Sequence, residues 1–273
     1  LKDLQLATKE RVDVLALHQG LFETREQAKR GVMAGLVLHQ DSGHRFDKPG
    51  EKILADTPLK LKGETLPYVS RGGLKLAKAL DVFGIDLTDQ YTIDIGASTG
   101  GFTDVMLQAG AKQVYAVDVG TNQLAWKLRQ DPRVISREQY NFRYADPQDF
   151  QPQPSFASID VSFISLSLIL PSLAAVLEDK GQVVALVKPQ FEAGREAIGK
   201  KGIVKEAKVH EEVLNRVMTM AQGLGFGVHG VDFSPITGGQ GNMEFLLYLK
   251  RDNSPALPLE QIKETVKKAH ETF

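Results

Sequence analysis

Four polar residues stand where a folded chain usually places apolar or turn residues. Lys75 lies in Ser70-Arg71-Gly72-Gly73-Leu74-Lys75-Leu76, Asp160 closes an apolar run, and Lys188 directly follows the apolar stretch 183–187. Glu244 opens the last apolar run, in Asn242-Met243-Glu244-Phe245-Leu246. Taken singly, Lys75 reads as a helix surface charge, Asp160 as a helix N-cap and Glu244 as an edge charge. Lys188 resists so plain a reading, because Pro189 fixes the turn immediately after it. Together, two lysines and two acids on one rim would form a proton-handling cluster, in which one ammonium pushes its neighbour toward the neutral, basic form.

A second constellation is Asp94-Ile95-Gly96-Ala97-Ser98-Thr99-Gly100-Gly101-Phe102, between an apolar run and a helical pattern. Glycines there are expected to let a ligand approach the backbone, while the helix start presents free N–H groups. A dinucleotide fingerprint would read G-x-G-x-x-G. This loop instead spaces Gly96 from Gly100-Gly101 by three residues and carries an acid two residues ahead. Asp118, at the end of the next apolar run, could accept both hydroxyls of a ribose. Asp94, residues 96–102 and Asp118 therefore favour the adenosine and amino-acid parts of S-adenosylmethionine. A nicotinamide site and a tight turn with no ligand are the lesser alternatives.

These residues need a scaffold, and the pattern changes near residue 70. Before it, Val12, Leu15, Ala16 and Leu17 mark one helical face, and Thr24 with Gln27 forms a capping-box pattern opening a helix over residues 25–33. Short strands separated by turns at Asp41-Ser42-Gly43 and Lys48-Pro49-Gly50 follow, giving a small α+β block over residues 1–62 and a linker over 63–70. Beyond it, strands are expected at 91–95, 113–118, 133–136, 156–160 and 181–187, with helices at 102–109, 123–130 and 164–177 between them. A long amphipathic helix at 206–224, two final strands at 226–233 and 243–250, and a closing helix at 259–270 complete an α/β, doubly wound pattern. Asp160 and Lys188 then lie at carboxyl ends of parallel strands, where such sheets bind ligands.

The chain has 273 residues with 33 Lys+Arg against 34 Asp+Glu, a balance that by itself argues against a nucleic-acid partner. The balance is uneven, however: residues 1–80 hold 14 basic and 10 acidic side chains, and the remainder 19 and 24. Arg11, Arg25, Lys29 and Arg30 in the first block, and Arg195, Lys200, Lys201 and Lys205 in a glycine-containing loop, are candidate phosphate contacts, or else ordinary solvated faces. With no cysteine there is no disulfide framework or thiolate metal site. The histidines 18, 39, 44, 210, 229 and 270 are scattered, so no metal is expected. The longest apolar stretch, residues 164–177, is broken by Ser165, Ser167, Pro171 and Ser172 and is too short to span a bilayer. No basic-then-apolar leader opens the sequence, and a cytoplasmic location without stable membrane association is expected.

Those motifs carry a resemblance. Lys75, Asp160, Lys188 and Glu244 match the Lys-Asp-Lys-Glu tetrad of the FtsJ/RrmJ type of ribose methyltransferase. The first block resembles the S-four-like (αL) RNA-binding domain through Arg11-Val12-Asp13, residues 24–29, Ala34-Gly35-Leu36-Val37 and Lys48-Pro49-Gly50. It departs from that pattern at His39-Gln40-Asp41, where a more hydrophobic strand and an Asn-Gly turn are usual. Both blocks, joined through residues 68–76, resemble the TlyA family, also called haemolysin-like. The resemblance implies a Rossmann-like class I methyltransferase sheet over residues 71–250, mostly parallel with its last strand antiparallel, and a helical tail over 251–273. It further implies S-adenosylmethionine as cofactor, 2′-O-methylation of cytidine in ribosomal RNA within subunits or ribosomes, the tetrad as catalytic residues, and Arg71 among the RNA contacts. A membrane-active protein, or an RNA-binding module with a silent enzyme domain, are the alternatives; oligomeric state is left open.

Overall fold

The computed structural model describes residues 8–63, 66–199 and 202–273. Its first unit begins with β1 (Lys9–Arg11), α1 (Val12–His18), α2 (Arg25–Met33) and β2 (Val37–His39). It continues with β3 (Lys52–Leu54) and β4 (Leu59–Leu61). β1 pairs antiparallel with β3, and β2 with β4. Val12, Leu15, Ala16, Ala28, Val32 and Leu59 form a small core of their own between the helices and strands. The expected capping box is present: the Gln27 N–H donates to Thr24 Oγ1 and the Thr24 N–H to Gln27 Oε1, both at 3.2 Å. At the departure noted above, the turn is closed by His39, whose Nδ1 accepts from the Asp41 and Ser42 N–H groups.

The larger unit comprises α3 (Gly73–Val82), β5 (Tyr91–Ile95), α4 (Gly101–Gln108), β6 (Gln113–Val117), α5 (Trp126–Arg129), β7 (Val134–Arg137) and β8 (Phe156–Ile159). Then come α6 (Leu170–Val176), β9 (Gln182–Val187), α7 (Pro189–Glu192), α8 (Ala207–Gly223), β10 (Gly227–Phe233), β11 (Phe245–Lys250) and α9 (Leu259–Thr272). The strands form one seven-stranded sheet in the order β10-β11-β9-β8-β5-β6-β7, and β11 runs antiparallel to both its neighbours. Strand alternation splits the core in two. Ile93, Ile95, Val183, Ala185 and Val187 face α6, α8 and α9, whereas Val114, Ala116, Val184 and Leu186 face α3 and α4. This is the α/β, mostly parallel architecture with an antiparallel last strand that the sequence implies.

Two expected helices are shorter, for identifiable reasons. The helix anticipated at 123–130 is reduced to the single turn of α5, because the Ala125 N–H donates to the Thr99 carbonyl at 2.9 Å in place of a helical carbonyl, after a bend in which Asn122 has a φ of 53°. The apolar stretch 164–177 divides into a 3₁₀ turn (Leu166–Leu168), capped by the Ser165 side chain, and α6, where Pro171 takes a first-turn position that needs no N–H. Among the described residues, no helix is long and apolar enough to cross a membrane.

Candidate active site

The tetrad assembles because the sheet's topology brings four segments to one edge. Asp160 follows β8, and its N–H continues the ladder to the Ile95 carbonyl at 2.9 Å. Lys188 follows β9. The antiparallel register pairs Phe245 with Val187, so Glu244 arrives opposite Lys188 although it precedes its strand. Lys75 projects from the first turn of α3. Within the edge, Lys75 Nζ lies 2.5 Å from Glu244 Oε2, and Lys188 Nζ lies 2.5 Å from Asp160 Oδ1 and 3.2 Å from Ser162 Oγ. Lys75, Lys188 and Glu244 are buried.

The two lysines sit in different fields. Burial alone would lower the Lys75 pKa, but the carboxylates of Glu244 and Asp160 outweigh it and raise the value above the ordinary lysine range. Burial would likewise raise Asp160; the ammonium groups of Lys188 and Lys75 prevail and lower it. Lys75 is thus held as a cation.

The glycine loop packs closely against its own neighbours. Gly96 has a φ of 86°, and a Cβ there would lie 2.1 Å from the Asp160 carbonyl oxygen. Gly100 has a φ of 101°, and its missing Cβ leaves room for Leu124 and Leu128; at Gly101 a Cβ would strike Ser70 Oγ at 2.4 Å. These glycines admit the protein's own chain, and Gly96 and Gly101 also line the cleft in front of the tetrad. Asp94 lies deeper. It is fully buried beneath the loop, accepting from Thr103 Oγ1 at 2.7 Å and Ser158 Oγ at 3.3 Å, and does not reach the cleft. Burial, opposed by those hydroxyl donors, pushes its pKa up to about 7.

Ala97, Ser98, Thr99 and Phe102 line the cleft together with Gly96 and Gly101, and Ala97 and Ser98 also line a small recess beside Asp118. Asp118 accepts from the Ser98 N–H and the Gly120 N–H, each at 2.8 Å, tying two loops together. The recess also exposes Leu124, Ser136 and Glu138. Glu138 Oε1 already accepts from the Arg129 guanidinium; its other oxygen and the remaining lone pairs of Asp118, beside apolar Ala97 and Leu124, are an acceptor set that fits the ribose of a nucleoside such as that of S-adenosylmethionine.

A cleft of about 1320 Å³ opens in front of the tetrad, walled on one side by α1 and α2 and on the other by the sheet edge. Of the basic candidates, Arg30 and Arg71 line it. Arg11 and Arg25 converge on buried Asp13, at 2.9 Å and 3.4 Å, and both stay partly exposed to solvent outside the cleft lining. Lys29 and Arg195 are exposed; Lys200 and Lys201 lie outside the described residues. His210 and His270, far apart in sequence, meet at 2.9 Å between α8 and α9. Among the described residues, no group of three or more potential ligands is placed to hold a metal.

Several contributors were not singled out from sequence. Ser162 touches Lys188, and Phe163, 90% exposed with a φ of 63°, packs on Phe191 at 4.9 Å between ring centroids. Each ring stands three residues beyond Asp160 or Lys188 in the sequence, but no sequence rule shows that one of them faces solvent.

A model of FtsJ-like methyltransferases matches residues 68–251. The chain belongs to that family. The protein YqxC of Bacillus subtilis is 58% identical over 97% of this chain and 95% of its own length. The 16S/23S rRNA (cytidine-2'-O)-methyltransferase TlyA of Mycobacterium tuberculosis is 37% identical over 97% of this chain and 98% of that protein. A solved structure from Streptococcus thermophilus superposes with a TM-score of 0.88 at 68% identity, covering 98% of both chains. The FtsJ-like span contains the glycine loop and the whole tetrad.

Proposed function

We infer that this FtsJ-like methyltransferase transfers a methyl group from S-adenosylmethionine to a ribose 2′-hydroxyl of ribosomal RNA, at cytidine, in the cytoplasm. The observation that carries the reading is the buried Lys75–Glu244 and Lys188–Asp160 arrangement at the mouth of a cleft between two units. The Mycobacterium tuberculosis relative, similar over almost its whole length, is named for that reaction on 16S and 23S rRNA. Bound beside the glycine loop, the cofactor supplies an electrophilic methyl group.

The chain's own residues then have separable tasks. Asp118 and Glu138 accept from ribose hydroxyls of the cofactor, while residues 97–99 and Phe102 shape its cradle. Lys75, held cationic by Glu244 and Asp160, keeps its proton. Lys188 is the base that relieves the target 2′-hydroxyl of its proton, with Ser162 and Asp160 aiming its Nζ. Holding an ordinary lysine neutral near pH 7 costs about 4–5 kcal/mol. Phe163 and Phe191 offer a face on which the target base stacks once it leaves its helix. The small unit, residues 1–62, is an S-four-like grip on RNA, with Arg30 and Arg71 toward the cleft. Among the described residues, no helix is long and apolar enough to cross a membrane, and no feature favours the membrane-active or the catalytically silent alternative.

The direct test incubates the protein with methyl-labelled S-adenosylmethionine and separated ribosomal subunits, then maps the modified ribose. Label on a cytidine 2′-oxygen, absent with Lys188→Ala, is expected; label elsewhere, or unchanged transfer by Lys188→Ala, defeats the reading.

A further inference from the structure

The aromatic rim next to Lys188 is held by a side chain with no assigned role. Phe163 combines near-complete exposure with a left-handed backbone conformation that a bulky residue rarely adopts, so neighbouring contacts must impose it. Its own ring contact with Phe191 is one such restraint. The stronger one is Glu192, in the short helix that follows Lys188. Glu192 Oε2 accepts from Ser165 Oγ at 2.7 Å, and Oε1 accepts from the Leu166 N–H at 2.8 Å. The Arg216 guanidinium on α8 donates to the Glu192 main-chain carbonyl, anchoring the helix from behind. Both carboxylate oxygens are therefore spent on fastening the segment that follows β8 to the segment that follows β9.

These are the two segments that carry Asp160, Ser162 and Phe163 on one side and Lys188 and Phe191 on the other. We propose that Glu192 is a positioning residue that sets the Phe163–Phe191 pair and the Ser162–Lys188 contact for the reaction. The assignment rests on the functional reading above, because the rim matters only if a base stacks there. Two acceptor oxygens matched to one hydroxyl and one N–H form a staple that a single hydrogen bond could not, since one bond leaves the loop free to pivot. Displacements of about 1 Å near reacting groups cost up to about a hundredfold in rate, so a loosened staple registers in turnover before it registers in cofactor binding.

The test uses the full chain. In a Trp126→Phe background, which removes the sequence's one tryptophan, Phe163→Trp places a fluorescent ring on the rim. Adding Glu192→Ala is expected to lower its anisotropy. Glu192→Gln is expected to preserve it, because the amide oxygen still accepts from Leu166 and the Ser165 hydroxyl can turn to accept from the amide. In the otherwise native chain, Glu192→Ala should lower kcat on ribosomal RNA by at least about tenfold with little change in KM for S-adenosylmethionine, and Glu192→Gln should restore most of it. Anisotropy and kcat both unchanged in Glu192→Ala overturn the assignment. So does an equal loss in the Ala and Gln variants that follows a lowered thermal midpoint. If the parent itself transfers no methyl to ribosomal RNA, the functional reading fails while the anisotropy comparison still decides what Glu192 holds.

Discussion

Lys75 and Glu244 depend on each other in a way that separates stability from chemistry. Both are buried, so Lys75→Ala leaves a carboxylate without its partner in a low-dielectric site, a loss of about 3–5 kcal/mol. Lys75→Met combined with Glu244→Gln removes both charges. It is expected to recover most of the thermal midpoint in calorimetry while transferring no methyl group. Asp94 makes a different prediction. Its pKa of about 7 lies above the ordinary carboxyl value of 3.8, so between those values the folded chain keeps a proton that the unfolded chain has released. Stability from this group is therefore lost as pH rises from about 4 to about 7, by up to about 4 kcal/mol. Asp94→Asn should remove that fall, read as a flatter denaturation midpoint across the window. Sequence spacing singled out Asp94 as a cofactor residue, but could not show that the Thr103 and Ser158 hydroxyls would bond to it. Those hydroxyls lie on a helix and a strand that the chain reaches only by folding.

At the scale of elements, the glycine loop is where two strand ends touch. Gly96→Ala places a Cβ against the Asp160 carbonyl as well as on a left-handed backbone, and neither atom of that carbonyl can step aside without moving Asp160. Gly202 has a similar φ of 71° with nothing nearby, so Gly202→Ala pays only the left-handed penalty of about 1–2 kcal/mol. The expected outcome is that Gly96→Ala abolishes turnover and loses clearly more stability than Gly202→Ala in matched urea melts. Most elements were legible because strands such as Tyr91–Ile95 and helices such as α9 carry their period in consecutive residues. The register between β11 and β9 was not, since it depends on pairing over some sixty residues, and that register is what sets Glu244 beside Lys188. The α5 region misled for a related reason: its apolar residues fit a helix, yet one hydrogen bond to Thr99 outweighed that weak preference.

For the whole molecule, the cleft exists because the two units touch around it. Gln240 and Thr237 bond to Glu23 on one side, and Gln40 bonds to the Tyr68 carbonyl at the linker. The near-zero net charge of the sequence concealed which basic residues face that space, and the fold sorts them. Arg30→Ala should flatten the salt dependence of RNA binding by about one unit of log–log slope, whereas Arg25→Ala, already engaged by Asp13, should leave the slope nearly unchanged while costing stability. Filter binding across a salt series measures both. The pairing of each active-site lysine with its own carboxylate has one more consequence. With both lysines protonated the four charges cancel, but once Lys188 is neutral two carboxylates face the single ammonium of Lys75. The reacting edge then suits a sulfonium cation, and drawing in a polyanion falls to Arg30 and Arg71 on the cleft wall.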